Sequence, residues 1–279
     1  SIMNDYTHTC GRGGLGAVMG SKNLKAIVVK GEKKVSLFDR DRYKKFFQDI
    51  TRLLVASPVS SKGLSEYGTA VLVNLINYMK IFPTGNFRFS RFDFAEEISG
   101  EKINSTFSIR KTPCYACPIA CKREDRNTET EIPEYETISM FGSSCRISNI
   151  QTIMKANRLC NEFGMDTITA GSTIACHMEL TGEQLTDEEL LRLVELIGER
   201  KDIGQELSEG SMRYARAHKK PDKSMQVKGL ELPGYDPRGV LGLALGYATS
   251  NRGGCHLRAY MIGPEIFGKP KLVNRLTFS

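Results

Sequence analysis

The chain predicts a mainly α protein, on three observations. Apolar residues recur at three- and four-residue intervals in several separate stretches, strand-like runs are few and short, and no repeat or low-complexity tract interrupts the pattern. With 279 residues and 40% apolar content, the chain has enough material for a sizeable core in one large or two smaller domains.

Residues 11–22 read Gly-Arg-Gly-Gly-Leu-Gly-Ala-Val-Met-Gly-Ser-Lys, a glycine-rich loop. The β-branched run Lys25–Lys30 that follows predicts a short strand ending at Gly31. From Asp39 onwards the period becomes helical, and Tyr43, Phe46, Phe47, Ile50, Leu53 and Leu54 form a stripe expected to face a core. A second helix is predicted over 62–80, stopping before Phe82-Pro83-Thr-Gly-Asn86. Residues 87–112 read as irregular, with Phe87, Phe89, Phe92 and Phe94 expected to pack inside. Ile132-Pro-Glu-Tyr-Glu136 reads as extended and acidic. Helices are predicted over 149–163, 166–180, 187–200 and 204–218, the third opened by Thr186-Asp-Glu-Glu189. Pro221 and Lys223-Ser224 mark a linker, 226–238 reads as strand and turn, and 240–249 as a glycine-bearing helix.

Several function classes fall away. The net charge of +7 is spread along the chain, and no basic strand face with interleaved aromatics accompanies it, so nucleic acid is not an expected partner. No apolar run approaches a membrane span, and no signal-peptide pattern is present. The glycine loop is not a P-loop, because Ser21 separates Gly20 from Lys22. It precedes a strand rather than following one, which excludes a dinucleotide fingerprint. Its glycines suit positive φ and close backbone approach to a phosphate or ring system, with a plain turn as the alternative.

Cys114-Tyr-Ala-Cys117-Pro-Ile-Ala-Cys121 carries the most specific chemistry. Three thiolates so close suit three corners of an iron–sulfur cube in a preformed loop, with the fourth ligand coming from elsewhere. Zinc ranks second, since structural zinc sites favour paired CxxC or HxxxH units, and unliganded thiols rank third. Cys160 and Cys176 read as buried free thiols in helices, whereas Cys145 and Cys255 lie in glycine- and serine-rich stretches from which a site is reachable. A metal-binding array places the chain in a reducing cytoplasm. His8, His177 and His218 read as structural, in a loop, a helix and a helix end. On their own, Glu136 and His256 also read as structural residues more readily than as catalytic ones.

Taken in order, five stretches resemble the tungsten- or molybdenum-dependent aldehyde ferredoxin oxidoreductase family. They are Gly11 to Ala26; Tyr67-Gly-Thr with Pro83-Thr-Gly-Asn-Phe87; Cys114-x-x-Cys-x-x-x-Cys121; Glu134-Tyr-Glu-Thr137 with Asn161-Glu-Phe-Gly-Met-Asp-Thr167; and Asp236-Pro-Arg-Gly239 with Tyr247-Ala-Thr-Ser-Asn-Arg-Gly-Gly-Cys-His256. The resemblance spans essentially the whole chain. It implies that residues 1–36 end an N-terminal β-rich pterin-binding domain. Residues 37–225 would form a helical middle domain carrying the cysteines, and 226–279 the start of a C-terminal helical domain. Ser1 is not a methionine and residues 275–279 form no capped element, so an internal piece of a longer protein, poorly soluble alone, is expected.

The resemblance also implies cofactors and roles. Cys114, Cys117 and Cys121 match three ligands of a [4Fe-4S] cluster, and the family's fourth, in an Asp-x-x-Gly-Leu-Cys motif, is expected beyond residue 279. Arg12, Gly13 and Gly14 correspond to a segment lying against a tungsten or molybdenum bis-pterin. Asn161 and Asp166 match a second pterin motif in which Asn161 replaces an Asp, and Arg252 and Arg258 suit either the pterin phosphate or local ion pairs. Glu136 aligns with an active-site glutamate, His256 with an active-site histidine, and Tyr235 with a substrate-pocket tyrosine of some members. The implied activity is oxidation of an aldehyde to a carboxylic acid with electrons passing to ferredoxin or a similar redox protein, and homo-oligomers are common in the family. The alternatives are a cluster-carrying electron-transfer module, or a member reducing carboxylates or activated aromatic rings.

Overall fold

The computed structural model describes residues 1–268, so residues 269–279, the last part of the third predicted segment, lie outside the described residues. The chain opens with an antiparallel ribbon, β1 (Ile2–Asn4) against β2 (His8–Cys10), in register Ile2↔Cys10 and Asn4↔His8. Helices α1 (Leu15–Ser21) and α2 (Arg40–Ala56) follow, then a π-helical turn Val59–Leu64, α3 (Ser65–Tyr67), a 3-10 turn Gly68–Val71 and α4 (Leu72–Tyr78). After α5 (Gly100–Thr106) comes a small antiparallel sheet of β3 (Ile109–Lys111), β4 (Arg123–Asp125) and β5 (Thr130–Glu131). The cysteine array is the loop that joins β3 to β4.

A short α6 (Tyr135–Thr137) runs into a fully buried π-helical stretch, Ile138–Ser144. The helical body then comprises α7 (Ile150–Phe163), α8 (Thr167–Thr181), α9 (Asp187–Glu199), α10 (Ile203–Leu207) and α11 (Ser211–Ala217). A ribbon of β6 (Gln226–Val227) and β7 (Leu230–Glu231) leads to α12 (Leu241–Thr249) and α13 (Ile262–Ile266). The mainly α class read from the sequence is the one observed.

Helix ends follow local chemistry. Asn149 caps α7 by accepting from Gln151 N at 3.0 Å, and Gly164 ends it with a left-handed φ of 66°. Asp166 caps α8 by accepting from Thr169 N at 3.1 Å. Thr186 and Glu189 form a reciprocal capping box on α9. Helix α8 is the axis of the body, with Ile168, Ile174, Ala175 and Cys176 all buried. It lies so close to the π-helical stretch that a Cβ on Gly171 would come within 2.7 Å of Met140 Cβ. Around it, Ile76, Phe82, Ile98, Ile138, Phe141, Ile153 and Leu190 complete one continuous core, whose burial is the main stabilising term.

The structure departs from the expectations in five places. Lys25–Lys30 makes no strand, and Val28 and Val29 are 92% and 85% exposed, because no described residue pairs with them. Helix α2 forms, but its stripe is not buried: Phe46 is 64% and Leu53 72% exposed. The helix predicted over 62–80 is broken at Gly68, whose φ of 62° leaves the helical region. Gly210, at φ 86°, likewise splits the stretch predicted over 204–218. Of the four phenylalanines placed inside, Phe87 and Phe92 are buried while Phe89 and Phe94 are exposed.

Candidate active site

Glu136 and His256 reach one cavity from opposite ends of the sequence. Glu136 sits on α6, and its Oε2 accepts the Gly234 N–H at 2.8 Å. That bond fixes the carboxylate and leaves Oε1 aimed elsewhere. His256 Nδ1 lies 3.6 Å from Glu136 Oε1. The gap is too long for a hydrogen bond, and both atoms are buried without any hydrogen-bond partner. Two facing polar atoms without partners are costly unless another group or water meets them.

The wall behind them is phenolic. The Tyr235 ring stacks 5.2 Å from Tyr135 and 6.0 Å from His256, so it backs the imidazole and does not itself border the cavity. Tyr135 OH donates to the Gly234 carbonyl. Burial first, and the Glu136 carboxylate second, push the phenols of Tyr135, Tyr235 and Tyr247 well above their ordinary range. These hydroxyls stay protonated and act as fixed dipoles.

The cavity holds about 420 Å³ and is bordered by Glu136, His256, Arg12, Asn161, Asp166 and Cys255. A second hollow of about 620 Å³ shares Arg12, Asp166 and Arg252 and adds Gly13 and Gly14. Gly13 and Gly14 take φ of 97° and 76°, the left-handed conformations expected of the loop. Arg12 links the pieces: its Nε donates to Asp166 Oδ2 at 3.2 Å, its Nη1 to the Gly254 carbonyl at 2.9 Å and its Nη2 to the Glu231 carbonyl. Arg252 Nη2 donates in turn to the Arg12 carbonyl at 3.0 Å. Arg252 therefore serves local structure, while Arg258 is exposed. Asn161 borders the cavity but donates its amide to Glu131 Oε2 at 3.0 Å.

The cysteine loop is built differently. Cys117 N donates to the Cys114 carbonyl at 3.0 Å, and Ala116 and Ala120 adopt left-handed φ of 55° and 54°. Cys114 is exposed, Cys117 and Cys121 partly so, and all three thiols are free. Among the described residues no three His, Cys, Asp or Glu side chains converge on a metal position. Burial first, then Glu134 and the neighbouring thiols, raise the Cys121 thiol above its usual pKa. The base of the loop is firm: the buried Arg123 donates to the Glu66 carbonyl at 3.0 Å, to Asn104 Oδ1 at 2.6 Å and to the Tyr67 carbonyl. Burial pushes its guanidinium down to about 10.

His8 and Lys122, given no site role from the sequence, make contacts at the loop. His8, read as structural, places Nε2 at 3.1 Å from Cys114 Sγ. Lys122, the residue after Cys121, donates to the Thr7 carbonyl at 2.6 Å and pairs with Glu131. Lys122, Glu131 and Glu134 all border the cavity. Its position directly after the third cysteine of the array was the available signal for Lys122, while nothing in the sequence points to His8. Cys145 is buried and its Sγ donates to the Gly171 carbonyl at 3.4 Å, with burial pushing its thiol far up. Cys255 is buried on the cavity wall.

Comparison with known proteins decides the family. Residues 45–279 match "Aldehyde ferredoxin oxidoreductase, domains 2 & 3", and residues 1–31 match the N-terminal domain of the same family. The chain belongs to the aldehyde ferredoxin oxidoreductase family. It is 47% identical to a tungsten-containing aldehyde ferredoxin oxidoreductase of Thermococcus kodakarensis over 97% of its own length, and 46% identical to one of Pyrococcus furiosus over the same share. In each case it spans 48% of the relative. A more distant likeness, 28% identity over 92% of the chain and 45% of the relative, is to an aliphatic sulfonate oxidoreductase, WOR-like subunit, of Pyrococcus furiosus. Within the aldehyde ferredoxin oxidoreductase family, the cavity and loop above are the features to be matched to cofactors. The donor types fit: free thiols for a cluster, and orphaned buried Glu136 and His256 atoms beside a polar hollow for a large polar cofactor.

Proposed function

We propose that this chain is part of a tungsten-dependent oxidoreductase that converts aldehydes to carboxylic acids and passes electrons through a [4Fe-4S] cluster to ferredoxin. The observation that carries the reading is the pair of orphaned atoms, Glu136 Oε1 and His256 Nδ1, facing each other across 3.6 Å inside the cavity. The relatives' names support the aldehyde and the tungsten. Cys114, Cys117 and Cys121 would hold the cluster, and Arg12, Gly13, Gly14, Asn161 and Asp166 would border the pterin. The proposed domain limits are residues 36 and 225.

Overall, aldehyde and water yield the acid, two protons and two electrons. The metal–pterin centre supplies the two-electron redox change when bound. Glu136 is the general base: Gly234 N–H holds Oε2, leaving Oε1 to take a proton from water. His256 Nδ1 stands opposite to orient the substrate oxygen by a hydrogen bond, and Tyr235 fixes the imidazole plane from behind. The packed phenols of Tyr135 and Tyr235 keep bulk water from that side. No described helix is long and apolar enough to cross a membrane; free thiols in the array agree with a cytoplasmic setting.

The deciding experiment is metal and sulfide analysis of the intact gene product, purified anaerobically from cells given tungstate and molybdate. The reading requires about four iron, four sulfide and one tungsten or molybdenum per chain, together with aldehyde-dependent viologen reduction. Iron and sulfide alone, from cells shown to make the pterin, would leave an electron-transfer module.

A further inference from the structure

A hollow larger than the one at Glu136 lies elsewhere among the described residues. A cleft of about 1040 Å³ opens beside the Pro83–Phe87 motif, which the catalytic reading leaves without a role. It is large enough for a metabolite-sized ligand. Its rim carries Lys80, Arg88, Arg91 and Arg146, all exposed, and none of the four forms an ion pair with another described residue. The acidic groups are largely engaged. Asp236 is paired with Arg238, and Asp187 accepts from Asn149 Nδ2 at 2.6 Å and Thr152 Oγ1 at 2.9 Å. Asp93 is the remaining acid on the rim. The excess is cationic: four unpaired cations among the described residues stand against Asp93 and Asp187, whose partners are neutral.

The backbone beneath the cleft is strained. Gly85, Asn86 and Phe87 take φ of 56°, 55° and 63° in succession. A left-handed run is costly for non-glycine residues, most of all for a bulky aromatic one, and persists only where surrounding structure imposes it. Here it is imposed several times over. Gly85 N donates to the Ser143 carbonyl at 3.0 Å, and Asn86 Nδ2 to Glu179 Oε2 at 2.6 Å and the Lys223 carbonyl at 2.8 Å. Arg238 Nη2 holds the Phe87 carbonyl at 2.7 Å. The turn buries Phe87 and sends the next two residues, Arg88 and Phe89, to the rim. There the Arg88 guanidinium lies 5.7 Å above the Phe89 ring, which is 51% exposed. An exposed aromatic beside unpaired guanidinium groups offers a stacking face next to bidentate phosphate donors.

We propose that this cleft binds a small di- or trianionic ligand carrying a planar ring system, of the nucleoside phosphate class, with its phosphates on Arg88 and Arg146 and its ring on Phe89. The site is separate from Glu136 and does not rest on the redox reading, because binding is read without turnover. The test is calorimetric titration of the intact gene product at low salt with ADP, pyrophosphate and adenosine. The proposal expects saturable ADP binding, with pyrophosphate about tenfold weaker and adenosine weaker still. R88Q/R146Q should weaken ADP and pyrophosphate alike by about tenfold or more, and F89A should bring ADP down to the pyrophosphate level. All three side chains are exposed, so circular dichroism should show folding unchanged. No ADP binding up to about 5 mM, binding untouched in R88Q/R146Q, or pyrophosphate binding as well as ADP would each overturn it.

Discussion

Glu136 and His256 are held by bonds and packing that need no cofactor, whereas Cys114, Cys117 and Cys121 hang on a loop whose sulfurs do not converge. The cavity is built from β5, α6, α7 and the 252–257 segment, with a buried wall of tyrosines behind it. The loop between β3 and β4 is fixed at its base by Arg123 and open at its tip. The contrast teaches where the polypeptide spends its organisation. Under the proposed function, proton-handling groups stand ready in one geometry and the fold fixes them. Neutral thiols gain a common centre only when a metal displaces their protons, so on the same reading their final arrangement would be set by the metal.

The sharpest way to break this contrast is at the loop. Cys117→Ser in the intact gene product should abolish iron and sulfide incorporation and aldehyde-dependent dye reduction. Far-UV circular dichroism should stay unchanged, and trypsin should cut at Lys111 or Lys122 faster than in the loaded parent. Retained iron at parental levels would mean that the loop is not the cluster site.

Glu136→Gln tests the opposite end. Keeping the shape while removing the base should lower turnover by about 10²–10⁴, with tungsten, iron and thermal midpoint held near the parent's. A loss of metal instead would make Glu136 a structural residue and would remove it from the proton path.

Arg123→Ala asks whether the firm base of the loop matters. It strands the Glu66 and Tyr67 carbonyls and Asn104 Oδ1, all acceptors of a buried guanidinium, so about 2–4 kcal/mol of stability should go. The loss should appear in chemical denaturation, and iron content should fall with it. Full iron in a destabilised variant would separate the loop from its base.

These residues also mark what the sequence made legible. Helices α7 and α9 were readable because Asn149 and Thr186 supply local caps and the apolar period is regular. The run of breaks from Val59 to Leu72 was not, because Gly68 turns out of the helix to let the Cys121 carbonyl and Arg123 approach, a contact made 53 and 55 residues away along the chain. Strand 25–30 and the α2 stripe were misjudged for a related reason: period and β-propensity report a face that wants burial, and the described residues provide none. At the site, Glu136, His256, Arg12 and Asp166 were legible only through the family resemblance, and they do come together. The role of His8 depends on a ribbon register, Asn4↔His8, that no short motif encodes.

The smallest effect separates two imidazoles. His177 is half-buried and its Nδ1 meets Tyr214 OH at 2.7 Å, whereas His256 Nδ1 meets nothing. Burial lowers the His177 pKa below its ordinary value, with Glu183 and Glu206 opposing and His218 adding smaller effects. The unfolded chain therefore takes up the proton first. Stability from this group is complete above about pH 6.5, the unfolded value, and is lost as pH falls below it towards the folded pKa. His177→Gln should accordingly flatten the acid side of the denaturation midpoint profile between about pH 5 and 7, without changing turnover at neutral pH. An unchanged slope would assign the acid sensitivity to other groups. An altered turnover would mean that the helical body is coupled to the cavity, and that the division between a prebuilt chamber and an independent scaffold is drawn in the wrong place.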